Sequence, residues 1–136
     1  MVLPNNTTID GGGLITLDGT RTATVAFVDR DTTVVLTRLS IINGEGANVG
    51  GAGGIENRGT LTVDHSTFSD NRAEKFDPFL FGGVGGGIFN GGTLAVDHST
   101  ITQNIAQIAG GGIYNQGSLT LTKTSVTENT PDDIFP

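Results

Sequence analysis

Two neighbouring acid and imidazole pairs, Asp64-His65 and Asp97-His98, hold the clearest chemical potential of this chain. An aspartate beside a histidine can orient a general base, help hold a cation, or simply bend and solvate a turn. Reading equivalent positions in related stretches extends the pairs into columns: Thr37, Asp64, Asp97 and Thr122, beside Arg38, His65, His98 and Lys123. Two stacked carboxylates could share a cation. Calcium, however, wants six to eight oxygen ligands, and two aspartates between neutral threonines supply too few. Asp64, His65, Asp97 and His98 are therefore read as solvated turn residues and kept as candidate binding residues. No catalytic residue, metal ligand set or cofactor is assigned, calcium being the one cation the corners weakly invite. Ser66 and Ser99 follow the histidines, but strand alternation turns them inward, which argues against a serine triad.

The pairs sit inside a repeat. Asp64-His65-Ser66-Thr67-Phe68-Ser69-Asp70-Asn71 aligns with Asp97-His98-Ser99-Thr100-Ile101-Thr102-Gln103-Asn104 and with Thr122-Lys123-Thr124-Ser125-Val126-Thr127-Glu128-Asn129. Each copy is preceded by a strand-like stretch: Gly53-Gly54-Ile55 leading to Leu61 and Val63, Gly86-Gly87-Ile88 leading to Leu94 and Val96, and Gly111-Gly112-Ile113 leading to Leu119 and Leu121. A degenerate copy spans Thr33 to Asn43, and a fainter one begins at Thr7. A unit this short cannot bury its own apolar face, so copies must stack, Ile on Ile and Leu on Leu. The period is 25 residues from Asn90 to Asn115, which suits three short strands per turn, and 33 from Asn57 to Asn90.

Stacking predicts parallel pairing between successive turns at about 4.8 Å. Asn71, Asn104 and Asn129 are expected to bond one another up the stack while tolerating left-handed backbone, and Gly59, Gly92 and Gly117 to occupy corners of positive φ. The extra residues of the long repeat form a loop containing Phe76, Phe79, Leu80 and Phe81. Those aromatic groups either fold back on the stack or offer a recognition surface, and Phe76, Phe79 and Phe81 are candidate binding residues on the second reading. The loops Gly44 to Gly53 and Ile105 to Gly110 leave at the same point of their repeats.

Composition narrows the partners. Glycine is 22 of 136 residues, and the regular Thr, Val and Ile alternation excludes a disordered chain. A net charge of −7 with only seven Lys and Arg argues against nucleic acid. No apolar run is long enough for a membrane span, and the absence of cysteine rules out disulfides and thiolate metal sites. The start Met1-Val2-Leu3-Pro4 lacks a charged and apolar leader, which suggests a removed signal or an excised piece of a longer protein.

The Gly-Gly-Ile steps and the spacings Phe68 to Asn71, Ile101 to Asn104 and Val126 to Asn129 resemble the repeats of right-handed parallel β-helix proteins of the pectate-lyase-like superfamily. They are similar in particular to repeats of polymorphic outer-membrane and other bacterial surface proteins. The resemblance covers residues 33–130 well and 7–32 weakly. It implies an all-β, right-handed parallel β-helix of about five coils, a single domain over 1–136 with degenerate coils in 1–32, regular repeats in 33–130 and a C-terminal cap in 131–136. In the cap, prolines and carboxylates would refuse another strand while Ile134 and Phe135 cover the last coil. The resemblance also implies secretion or display at a bacterial surface. The function expected from it is a non-catalytic scaffold or adhesion-type binding module for a glycan or surface protein, with contacts through the loops. A polysaccharide lyase or hydrolase, which would need clustered carboxylates for calcium and an Arg or Lys base, is the alternative. A second alternative is ice binding through the outward rows, Thr60 and Thr62 over Thr93 over Ser118 and Thr120, although Ala95 interrupts them.

Overall fold

A computed structural model describes residues 1–47, 51–74 and 82–136. Among these residues there is no helix, and every strand pairing is parallel. Three sheets result. The first holds β1 (Val2–Leu3), β3 (Ala26–Val28), β6 (Ile55–Asn57), β10 (Ile88–Asn90), β14 (Ile113–Asn115) and β17 (Ile134–Phe135). The second holds β2 (Thr7–Asp18), β4 (Thr33–Ile42), β7 (Thr60–Asp64), β8 (Thr67–Ser69), β11 (Thr93–Asp97), β12 (Thr100–Thr102), β15 (Ser118–Thr122) and β16 (Ser125–Thr127). The third is small, with β5 (Glu45–Gly46), β9 (Arg72–Ala73) and β13 (Ile105–Ala106).

Register follows the repeat. Ile55 pairs with Ile88 and Ile88 with Ile113; Leu61, Leu94 and Leu119 align in the second sheet, as do Val63, Val96 and Leu121. Phe68, Ile101 and Val126 form a further column. Alternation sends these side chains inward, where Ile55, Leu61, Val63, Phe68, Ile88, Ile101 and Ile113 are fully buried. Burying each such side chain contributes about 1.5–3 kcal/mol. A slip by one residue would turn a whole column out to water, so the apolar pattern pins the register. At the β15 and β16 edge of the second sheet, Leu119, Leu121 and Val126 are only half-buried.

Two columns of asparagine bind the rungs together. Asn71 Nδ2 donates to Asn104 Oδ1 at 2.9 Å, Asn104 Nδ2 to Asn129 Oδ1 at 3.0 Å, and Asn129 Nδ2 to Asp133 Oδ1 at 2.9 Å. A second column, Asn57 to Asn90 to Asn115, repeats the bond at 2.8 Å on each step. The stacked amides expected from sequence are present, but the left-handed backbone lies one residue earlier, at Asp70, Gln103 and Glu128 (φ 57°, 57° and 60°).

The glycine expectation is corrected as well. Gly59, Gly92 and Gly117 do not have positive φ. They are glycine because successive chains approach too closely for a side chain: a Cβ on Gly92 would lie 2.1 Å from the Gly59 carbonyl oxygen, and one on Gly117 2.0 Å from that of Gly92. The C-terminal segment contributes one more short strand. Ile134 and Phe135 add a strand, pairing with Ile113 and Tyr114, while Asp133 ends the first asparagine column and Asp132 accepts from the Gly110 N–H at 2.5 Å.

Candidate functional site

The corner column is built by β2, β4, β7, β11 and β15. Asp10 pairs with Thr37, Thr37 with Asp64, Asp64 with Asp97 and Asp97 with Thr122. The next residue in four of these strands, Arg38, His65, His98 and Lys123, is left-handed, with φ of 54°, 46°, 43° and 46°. For a residue with a Cβ this conformation costs about 1–2 kcal/mol, so something must hold it. After His65, His98 and Lys123 the residue that follows does so. Ser66 Oγ donates to the Asp64 carbonyl at 2.8 Å, Ser99 Oγ to that of Asp97 at 2.7 Å and Thr124 Oγ1 to that of Thr122 at 2.9 Å. Each hydroxyl also accepts an N–H from the neighbouring rung: Leu39 on Ser66, Ser66 on Ser99, Ser99 on Thr124. Ser66 and Ser99 are thus buried in structural bonds, as their inward alternation predicts.

The bend throws the following side chains outward in one file. The His65 and His98 rings stack with centroids 4.7 Å apart and planes 4° from parallel. His65 Nδ1 lies 2.8 Å from Asp64 Oδ1 in hydrogen-bond geometry. His98 Nδ1 is 2.9 Å from Asp97 Oδ1 but off the line a hydrogen bond requires, and that oxygen is shielded from solvent with no hydrogen-bond partner among the described residues. The second pair is therefore close without a directed hydrogen bond. On the next rung Thr37 Oγ1 reaches Asp64 Oδ2 at 3.4 Å, and Arg38 grips Asp10 through both Nε, at 2.9 Å, and Nη2. The Arg38 hydrogen bonds hold the Asp10 carboxyl below its ordinary range, aided by the Gly12 N–H.

Asp64, His65, Asp97 and His98 are thus brought together as the sequence columns propose, and Asp64, His65 and His98 offer ligand atoms that all lie within 4.8 Å of one another. The donors are rich in imidazole nitrogen and poor in oxygen, which fits calcium badly. Phe76, Phe79 and Phe81 lie outside the described residues.

On another side, β5, β9 and β13 align Glu45 with Arg72 and Arg72 with Ile105, so the segments after Asn43, Asn71 and Asn104 leave side by side. Arg72 pairs with Glu74 there. A cavity of about 230 Å³ opens nearby between Thr22, Thr24, Phe27, Glu45, Ala47 and Glu56. Glu45 Oε1 is shielded without a hydrogen bond among the described residues, and its carboxyl is pushed up by burial and then by Glu74, against the pull of Arg72 and Arg21.

Sequence reading missed three features. Asp10 joins the corner column once Thr7–Asp10 is laid on Val34–Thr37. Glu45 gains its character from burial, which no local pattern announces. Phe89, Tyr114 and Phe135 stack on the first sheet with centroids 5.7 and 5.4 Å apart; their signal is the outward residue after Ile88, Ile113 and Ile134, an aromatic in each. No family model, no curated protein and no solved structure matches the chain.

Proposed function

We propose that this chain winds as a right-handed parallel β-helix and serves as a non-catalytic binding scaffold of a secreted or surface-displayed bacterial protein, with its contacts made through the loops leaving after Asn43, Asn71 and Asn104. The winding is supported by the order in which each repeat visits the sheets: β6 in the first, β7 and β8 in the second, β9 in the third, then β10 back in the first. The observation that carries the binding reading is the alignment of β5, β9 and β13, which gathers three loop exits on one side beside the cavity at Glu45. Loops on a rigid stack are where such proteins place recognition. The polar groups elsewhere are largely engaged in the fold: Ser66, Ser99, Asn71, Asn104, Asn57 and Asn90 all bond the backbone or each other across rungs. That allocation favours a scaffold over a lyase.

A glycan array probed with the intact chain, with and without calcium, tests this reading. Retention of a glycan, weakened by Arg72→Ala or Ile105→Ala and unchanged by His65→Ala, is the expected result. Release of shortened or unsaturated sugars from any retained polysaccharide would overturn it in favour of a lyase or hydrolase, and so would binding that ignores the loop-side substitutions.

A further inference from the structure

We infer that the corner joining β7 and β11 binds an imidazole-preferring divalent cation of the zinc, nickel or copper class through His65, His98 and the Asp64 carboxylate. Parallel register sets Asp64 beside Asp97, and the left-handed backbone after each aims both imidazoles out of the same corner. The rings stack at 4.7 Å, so the two histidines form a pair and not two separate surface groups. His65 Nδ1 faces Asp64 and His98 Nδ1 faces Asp97, at 2.8 and 2.9 Å. The Asp64 carboxylate and one nitrogen of each imidazole lie within 4.8 Å of one another, so the three groups can turn toward one ion.

The shielded Asp97 Oδ1, without a hydrogen bond among the described residues, adds negative charge that a cation would neutralise. Zinc takes imidazole nitrogen at about 2.0–2.1 Å, so two ligating nitrogens stand about 4 Å apart at most. The rings must swing until their planes converge on one point, and the His65 and His98 side chains, 57% and 38% exposed, are free to do so. Three protein ligands leave a position for water, making the site exchangeable and not a structural clamp. Affinity should follow the usual order, copper above zinc and nickel, with calcium a poor occupant. Lys123, next in the column beyond His98, opposes binding by its charge.

Calorimetric titration of the intact chain with zinc, nickel and calcium chlorides tests the inference, together with the histidine ring signals in nuclear magnetic resonance spectra. One zinc per chain is expected, with the His65 and His98 signals moving together and no comparable calcium binding. Asp64→Ala, which removes one of the three ligands, should weaken zinc by at least the roughly 10-fold that loss of an outer-shell partner costs. His65→Gln or His98→Gln should weaken it at least as much, with circular dichroism unchanged. No zinc binding, or zinc binding that survives the double His65→Gln/His98→Gln change, overturns it. Either failure leaves the loop-side glycan reading untouched, because the two faces share no residue.

Discussion

Replacing Asn104 by alanine probes the asparagine column at its best-connected member. Asn104 is fully buried. Its Oδ1 accepts from Asn71 N at 3.1 Å and Asn71 Nδ2 at 2.9 Å, and its Nδ2 faces the Phe68 and Thr102 carbonyls and Asn129 Oδ1, each at 3.0 Å. An amide nitrogen has only two hydrogens, so two of those three acceptors can be served at full strength. That makes four full bonds lost, each contributing about 1 kcal/mol net, and the Asn71 N–H is left without a partner. The sum is about 4 kcal/mol, a large part of the roughly 5–15 kcal/mol that holds an ordinary domain. Asn115→Ala is the control. Asn115 is half-buried, accepting from Asn90 at 2.8 Å and donating to the Gly117 carbonyl at 3.2 Å, and the loss of these two bonds should cost at most about 2 kcal/mol. Urea unfolding followed by circular dichroism reads both as shifts of midpoint at constant slope. Equal, small shifts for the two variants would refute the claim that the amide column stabilises the stack beyond its neighbours.

Gly92→Ala should destabilise severely, by about 3 kcal/mol or more as for other overpacked sites, because its Cβ would meet a neighbouring backbone oxygen at 2.1 Å; Gly91→Ala, whose nearest obstacle is the Phe89 ring at 3.1 Å, should cost far less in the same melt. Glu45 has a carboxyl raised by burial, so the folded state holds its proton more tightly than the unfolded chain and loses stability as pH rises from the ordinary carboxylate range through the raised value. Glu45→Gln should therefore stabilise the protein near neutral pH, leave it unchanged in acid, and flatten the stability profile between; a larger loss at neutral pH would contradict this. Lys123→His would place a third imidazole in the corner file and remove the opposing charge, so zinc should bind more tightly by calorimetry; weaker binding would show that the file is not continuous beyond His98. The outward Thr60, Thr93 and Ser118 row is broken beside it by Ala95, and thermal hysteresis at millimolar protein should be absent.

The repeat in Gly-Gly-Ile, Leu-x-Val and Phe-x-x-Asn was enough to announce parallel strands, their register and the inward columns, because burial acts on every rung alike and writes itself as periodic spacing. Asp64, His65, Asp97 and His98 could likewise be aligned by counting. Counting could not say which residues bend left, since Asp70, Gln103 and Glu128 take that conformation while the asparagines after them only bond. Nor could it say why Gly92 is glycine, which depends on the distance to a chain one rung away. The stacking of the two imidazoles, the Arg38 grip on Asp10 and the shielded Glu45 oxygen were decided in three dimensions, where the left-handed corner and its buried Ser66 and Ser99 hydroxyls set the direction of each side chain. Local pattern records which face a residue takes; the distance and angle between groups on different rungs belong to the packed stack.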